Sequence, residues 1–298
     1  MKLKNKLFTV LTVFLLLIVI AGFGLFNPGL EKSRAKVAEK NSGGQEIKSL
    51  GGIKNRMPDN SAAVFFGSTI GKQLSKYASY KNIDEMLFAL RSGEVDTLWA
   101  CDVTADYLVS VNQDLKIFEP LTESDIQKTE AARFEFGMAL KDTEASKKLK
   151  EDIDTVLSDM REDGTLDKLT SDYIENAAAL AELPESSRLY PSGMRSLNGK
   201  DTLYVGISGA VSPLEMLDKD NKPYGFCVAL MDEIGVRTGR KIKFVVLDNE
   251  TAFTSLMSGR VDMLFCYGTG MKTTENKTAY IMTDGYYTMQ KYKFIKLK

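Results

Sequence analysis

The sequence predicts an α/β protein of two similar lobes placed behind an N-terminal membrane segment. Three observations predict it. The stretch Ala89–Trp99 (ALRSGEVDTLW) is written again as Ser255–Phe265 (SLMSGRVDMLF), with Leu, Ser-Gly, Val-Asp and Leu at the same spacing and an aromatic residue after each copy. Each copy reads as the end of an amphipathic helix, a glycine stop and a short buried strand. A duplicated corner of this kind implies two similar units in one chain. Apolar runs of strand length alternate with helical periods on both sides of a polar stretch at 176–199. Finally, Leu7–Phe26 is an uncharged apolar run preceded by Lys2, Lys4 and Lys6.

Composition narrows the chemistry. The chain has 298 residues, 44% of them hydrophobic, which suits one large or two modest globular domains. Its formal net charge of −1 gives no electrostatic case for nucleic acid. The absence of histidine excludes Ser-His-Asp and Cys-His catalysis and any zinc site that needs imidazole. Cys101, Cys227 and Cys266 are too few and too scattered for a disulfide framework or a metal cluster, and are read as small buried fillers. No metal, cofactor or catalytic residue is expected, and the protein is not read as an enzyme.

Taken in order, residues 1–28 are the membrane segment. As a helix, Leu7–Phe26 is about 30 Å long, enough to cross a hydrocarbon core. An uncleaved single-pass anchor with the C-terminal domain extracytoplasmic is expected, and a secreted form cut near Ala21 is the alternative. Residues 29–60 are polar, contain Gly43-Gly44 and Gly51-Gly52, and read as a tether. The first α/β unit covers 61–175. It predicts a strand at Val64–Phe66, a helix at 70–76, a helix carrying Met86, Leu87 and Leu90, and strands at 95–100, 115–118 and 134–140. Leu149, Ile153, Val156, Leu157 and Met160 form one helical stripe that stops at Asp163-Gly164, and a shorter helix follows with Leu166, Leu169 and Tyr173. Residues 176–199 read as a linker. The second unit, 200–298, opens with a strand at 203–206 and turns at Asp218–Asn221. A helix with Phe226, Ala229, Leu230 and Ile234 follows, then a strand at 243–247, the second repeat copy and a last strand at 292–297.

These residues resemble a known family. Residues 203–298 look like the first lobe of the family 3 extracellular solute-binding proteins, the bilobed amino-acid receptors of ABC importers. The resemblance is carried by Val205-Gly206, Ser212-Pro213 before Leu214-Glu215, Gly225-Phe226, Ser258–Asp262, Thr273-Thr274-Glu275 and Thr283–Tyr287. Residues 62–174 resemble that family's second lobe through Gly67-Ser68-Thr69, Ser92–Asp96, Asp102 and Asp163–Lys168. The resemblance implies a periplasmic-binding-protein-like type II fold with the lobe order permuted: second lobe, closing helices, first lobe.

Candidate ligand positions follow. Ser68 and Thr69 sit where a strand turns into a helix, so hydroxyls and free backbone N–H groups can meet an anion there, with a plain helix cap as the alternative. Asp102 lies past the strand of the first repeat copy, at an edge where α/β folds bind ligands, and an N-cap for a helix at 103–109 is the alternative. The resemblance assigns Asp102 to a solute's ammonium group. On the first lobe it implies Ser212, Tyr267, Thr269, Thr273 and Asn276. The family's carboxylate-clamping arginine is replaced here by Asn276, and Val211 and Leu214 stand where it tends to place aromatic residues. The expected function is capture of a small polar metabolite, an amino acid or related amine or carboxylate, for an ABC permease. The competing expectation is a degenerate solute-binding fold serving as a membrane-tethered sensor or interaction module.

Overall fold

The duplicated sequence folds into the same corner twice, down to individual hydrogen bonds. In the computed structural model, which describes residues 47–53, 76–118, 134–184, 186, 188–268 and 280–298, helix α1 (Ile83–Arg91) ends at Ser92 and strand β3 (Thr97–Cys101) follows. In the second copy a helix at Ala252–Met257 ends at Ser258 and is followed by a strand at Met263–Gly268. Gly93 and Gly259 take φ of 76° and 77° with nothing near a would-be Cβ, the left-handed stop that glycine adopts without steric cost. The amide of Glu94 donates to the Ala89 carbonyl, and that of Arg260 to the Ser255 carbonyl, both at 2.9 Å. Asp96 accepts the N–H of Lys48 at 2.9 Å, and Asp262 that of Tyr204 at 2.8 Å. Each aspartate thus ties its corner to the neighbouring strand.

The strands form two principal mixed sheets within one compact unit, Glu46–Lys298. The first contains β1 (Ser49–Ile53), β2 (Lys76–Tyr80), β3, β4 (Leu115–Phe118) and β13 (Tyr292–Leu297) in the order β2-β1-β3-β13-β4. The second contains β5 (Phe134–Lys141), β6 (Asp201–Ile207), β9 (Arg240–Val246), β10 (Met263–Gly268) and β11 (Tyr280–Met282) in the order β9-β6-β10-β5-β11, with β12 (Tyr287–Met289) also on β5. In each sheet three neighbouring strands run parallel, and the fourth is antiparallel and comes from the other end of the chain. Strand β13 therefore leaves the C-terminal unit to complete the first sheet, and β5 leaves the N-terminal unit to complete the second. A two-stranded ribbon, β7 (Met216–Leu217) with β8 (Pro223–Tyr224), brackets the turn expected at Asp218–Asn221.

Helix α2 (Asp102–Val111) follows β3, and α3 (Glu144–Glu162) follows β5. The α3 stripe is buried at Ile153, Val156, Leu157 and Met160. Thr143 caps its start by accepting the Ser146 N–H, and Asp163 with Gly164 at φ 77° ends it. Helix α4 (Thr165–Thr170) leads through a π-turn at Ser171–Glu175 into α5 (Ala177–Glu182). Helix α6 (Phe226–Thr238) packs on α3, and Arg237 at its end reaches Asp163 at 2.8 Å and Thr165 Oγ1 at 3.0 Å. The helix of the second repeat copy is α7 (Ala252–Met257).

Two stretches differ from the sequence expectation. Ser49–Ile53, read as tether, is an inner strand whose glycines serve close approach rather than flexibility. A Cβ on Gly52 would lie 2.2 Å from Trp99 Nε1, and one on Gly51 would lie 2.8 Å from the Tyr80 ring. The 176–199 stretch carries α5 and two 3₁₀ turns, and is pinned by the Ser196 N–H and Arg195 on buried Asp232, both at 2.8 Å. The expected membrane segment, the strand at 64–66 and most of the helix at 70–76 lie outside the described residues, and Lys76 opens β2 instead. Among the described residues no helix is long and apolar enough to cross a membrane.

Candidate functional site

The two sheets meet along an apolar seam. A cavity of about 40 Å³ lies there, lined by Ile53, Met86, Trp99, Ala100, Cys101, Thr104 and Tyr292 from the first half and by Phe136, Ala210 and Val211 from the second. Trp99 reaches it because β3 is buried on both faces, and Phe136 because β5 crosses into the second sheet. The Trp99 and Tyr292 rings pack at a tilt of 39° with centroids 4.5 Å apart. The second copy repeats this pairing away from the seam, where Phe265 stacks on Tyr286 at 5.0 Å. Among the described residues, the lining of the seam cavity holds no charged side chain.

Its edge is organised by Asp102. One carboxylate oxygen accepts the Val103 N–H at 2.8 Å, and the other accepts the N–H groups of Gln290 at 2.9 Å and Lys291 at 3.3 Å. The Asp102 N–H donates to the Lys291 carbonyl at 2.9 Å. Asp102 therefore fastens the start of α2 to the two residues that carry the chain from one sheet to the other. A carboxylate offers about four acceptor positions, so little capacity is left for a solute's ammonium group. Ser212 is half-buried next to the lining residue Val211, with its Oγ 3.5 Å from the Glu215 carbonyl. Tyr267 packs against the Leu247–Leu264 side of the second sheet, just past a bulge at Cys266, whose φ is 60°. It does not line the cavity. Ser68, Thr69, Thr269, Thr273 and Asn276 lie outside the described residues.

Sequence reasoning missed the aromatic floor and the loop that shapes it. The aromatic residue closing each repeat copy was the available signal for Trp99. Glu215 is fully buried and accepts the Ser208 hydroxyl at 2.9 Å, while Ser208 Oγ accepts the Ala210 N–H at 3.2 Å, so this pair folds the 208–215 loop against the seam. Buried Asn249 donates to the Lys81 carbonyl at 3.1 Å and links the two halves directly.

Burial controls the thiols here. It pushes Cys101 up to about 11 from an ordinary 9.0, against the hydrogen bond to Thr104, and pushes Cys227 up to about 12, with the Glu215 charge adding to it. Above about pH 9 the unfolded chain loses these protons while the folded chain keeps them, so stability must fall as pH rises toward the folded values. Urea midpoints should drop between about pH 8 and pH 10.5, and Cys227→Ala should flatten that drop; an identical slope in the variant contradicts the assignment.

Residues 203–296 match the sequence model of the bacterial extracellular solute-binding proteins, family 3. The matched segment is about a third of the chain, and supplies the 208–215 loop together with β6, β9, β10 and β13. No curated protein matches the chain. Among solved structures, the alkanesulfonate-binding protein SsuA from Xanthomonas axonopodis pv. citri, bound to MOPS, is similar at 10% identity and TM-score 0.41, over 86% of this chain and 66% of that one. The periplasmic domain of BvgS from B. pertussis gives 12% identity and TM-score 0.40, over 85% of this chain and 37% of that one. An arginine third transport system periplasmic binding protein from Legionella pneumophila gives 11% identity and TM-score 0.43, over 84% and 86% of the two chains. The chain thus spans less than two thirds of the first two structures' length.

Proposed function

We propose that the protein is an extracytoplasmic solute-binding protein, tethered to the membrane by Leu7–Phe26, that captures a small polar metabolite for an ABC permease. Its two α/β halves, 47–118 with 292–298 and 134–289, correspond on this reading to a permuted pair of lobes. One observation carries the proposal: two sheets of identical strand order exchange one strand each and face one another across a seam that contains a cavity. Such an arrangement closes by hinge motion about the crossovers, and a solute that touches both walls stabilises the closed form. Binding, not turnover, is the activity on this reading.

The second reading, a degenerate fold acting as a sensor or interaction module, is favoured by one dimension of the structure. The seam cavity of about 40 Å³ is far below the roughly 300–1,000 Å³ of small-molecule sites, because Trp99 and Tyr292 fill it. A stability screen against amino acids, amines, dicarboxylates and short peptides separates the two. A true ligand at about 100 times its dissociation constant should add about 2.7 kcal/mol to the unfolding free energy. Silence across the whole panel would leave the sensor reading in place of the transport one.

A further inference from the structure

A second cavity, about 390 Å³ in volume, shares no described lining residue with the seam. It lies where the π-turn, α5 and the chain around Arg188 fold over β8 and the start of α6. Its size falls within the range of small-molecule sites, about 300–1,000 Å³. The stretch around Arg188 was expected to be a bare linker, yet it supplies the cavity's one cation among the described residues. The Arg188 guanidinium lies over the Tyr224 ring, 4.7 Å from its centroid, and Nη2 donates to the Ala181 carbonyl at 2.9 Å. Its Nε is buried and meets no acceptor among the described residues, the kind of charged donor that is costly to leave unmade. The lining carboxylate, Asp172, is already paired with Lys168, so the charge presented to the cavity is positive. The remaining wall is apolar: Leu180, Leu189 and the face of Tyr224.

We infer that this cavity binds a small organic acid, a single carboxylate on an apolar or aromatic body. The carboxylate meets the guanidinium of Arg188, whose planar set of donors matches it as an ammonium does not. The body lies on Leu180, Leu189 and Tyr224. Tyr107, on α2 of the first half, stands within electrostatic reach of both Arg188 and Tyr224, and α2 contacts α5, so the cavity lies near a junction between the halves. The site is independent of the seam and of the transport reading.

The test is isothermal titration of the detergent-solubilised full chain with benzoate, with benzylamine as the charge-reversed probe. Benzoate should bind and benzylamine should not. Arg188→Met should weaken benzoate about tenfold or more by removing the fork, and Leu180→Trp should do the same by filling the space with Arg188 intact. Circular dichroism of both variants shows whether they remain folded, and the bulkier variant keeps the test valid where the first does not. Absence of benzoate binding by the unaltered chain, equal binding of benzylamine, or unchanged affinity in either folded variant overturns the inference.

Discussion

Replacing Trp99 by alanine is expected to lower the unfolding free energy by about 3–5 kcal/mol, the range for removing a large buried aromatic residue. Trp99 is 3% exposed and packs at a tilt against Tyr292. It lies so close to Gly52 that no side chain fits there. It also stands opposite Phe294 in the β3–β13 register, so its loss weakens the strand that completes the first sheet. Urea denaturation measures the effect, with Phe88→Ala as the reference because Phe88 is 72% exposed on α1 and should change stability by no more than about 0.5 kcal/mol. A Trp99 loss as small as that of Phe88 would contradict the packing of the seam. The substitution also enlarges the cavity, so a screen that is silent on the unaltered chain gains a second arm in this variant.

Much of the architecture was legible because it rests on local chemistry. The Ser-Gly stop and the following Val-Asp are read from spacing alone, and both copies fold as read, since the glycine conformation and the aspartate contact are decided within a few residues. The α3 stripe and its Asp163-Gly164 end are local in the same sense. What spacing could not carry was partner choice. Gly51-Gly52 looks the same in a flexible tether and in a strand pressed against an indole, and only the distant Trp99 decides between them. Strand exchange was hidden for the same reason: the apolar runs at 134–140 and 292–297 were read as strands, but nothing within them names the sheet they join. Of the candidate ligand residues, Asp102 and Ser212 stand beside lining residues of the seam, whereas Tyr267 packs elsewhere. Trp99, Phe136 and Tyr292 reach the seam through pairings that no window of sequence contains.

Asp102→Ala should cost about 2–4 kcal/mol, because it strips one charged acceptor from three backbone donors at once. Two of those donors, Gln290 and Lys291, are the crossover between the sheets, and the third, Val103, lies in the first turn of α2. Asparagine should recover less than half of the loss: its single carbonyl oxygen can serve one side, while its amide nitrogen is then turned toward N–H groups it cannot accept. The two roles written for Asp102 predict different outcomes. A residue reserved for a solute's ammonium group would lower ligand affinity on substitution and leave the unliganded protein as stable as before. A residue that fastens the hinge would destabilise the unliganded protein and speed amide exchange at Gln290 and Lys291 ahead of the sheet interiors. The observed bonds favour the fastening role, so the exchange rates of those two amides in Asp102→Asn are the decisive measurement. Unchanged protection at both, with a ligand affinity that falls, would return Asp102 to the solute.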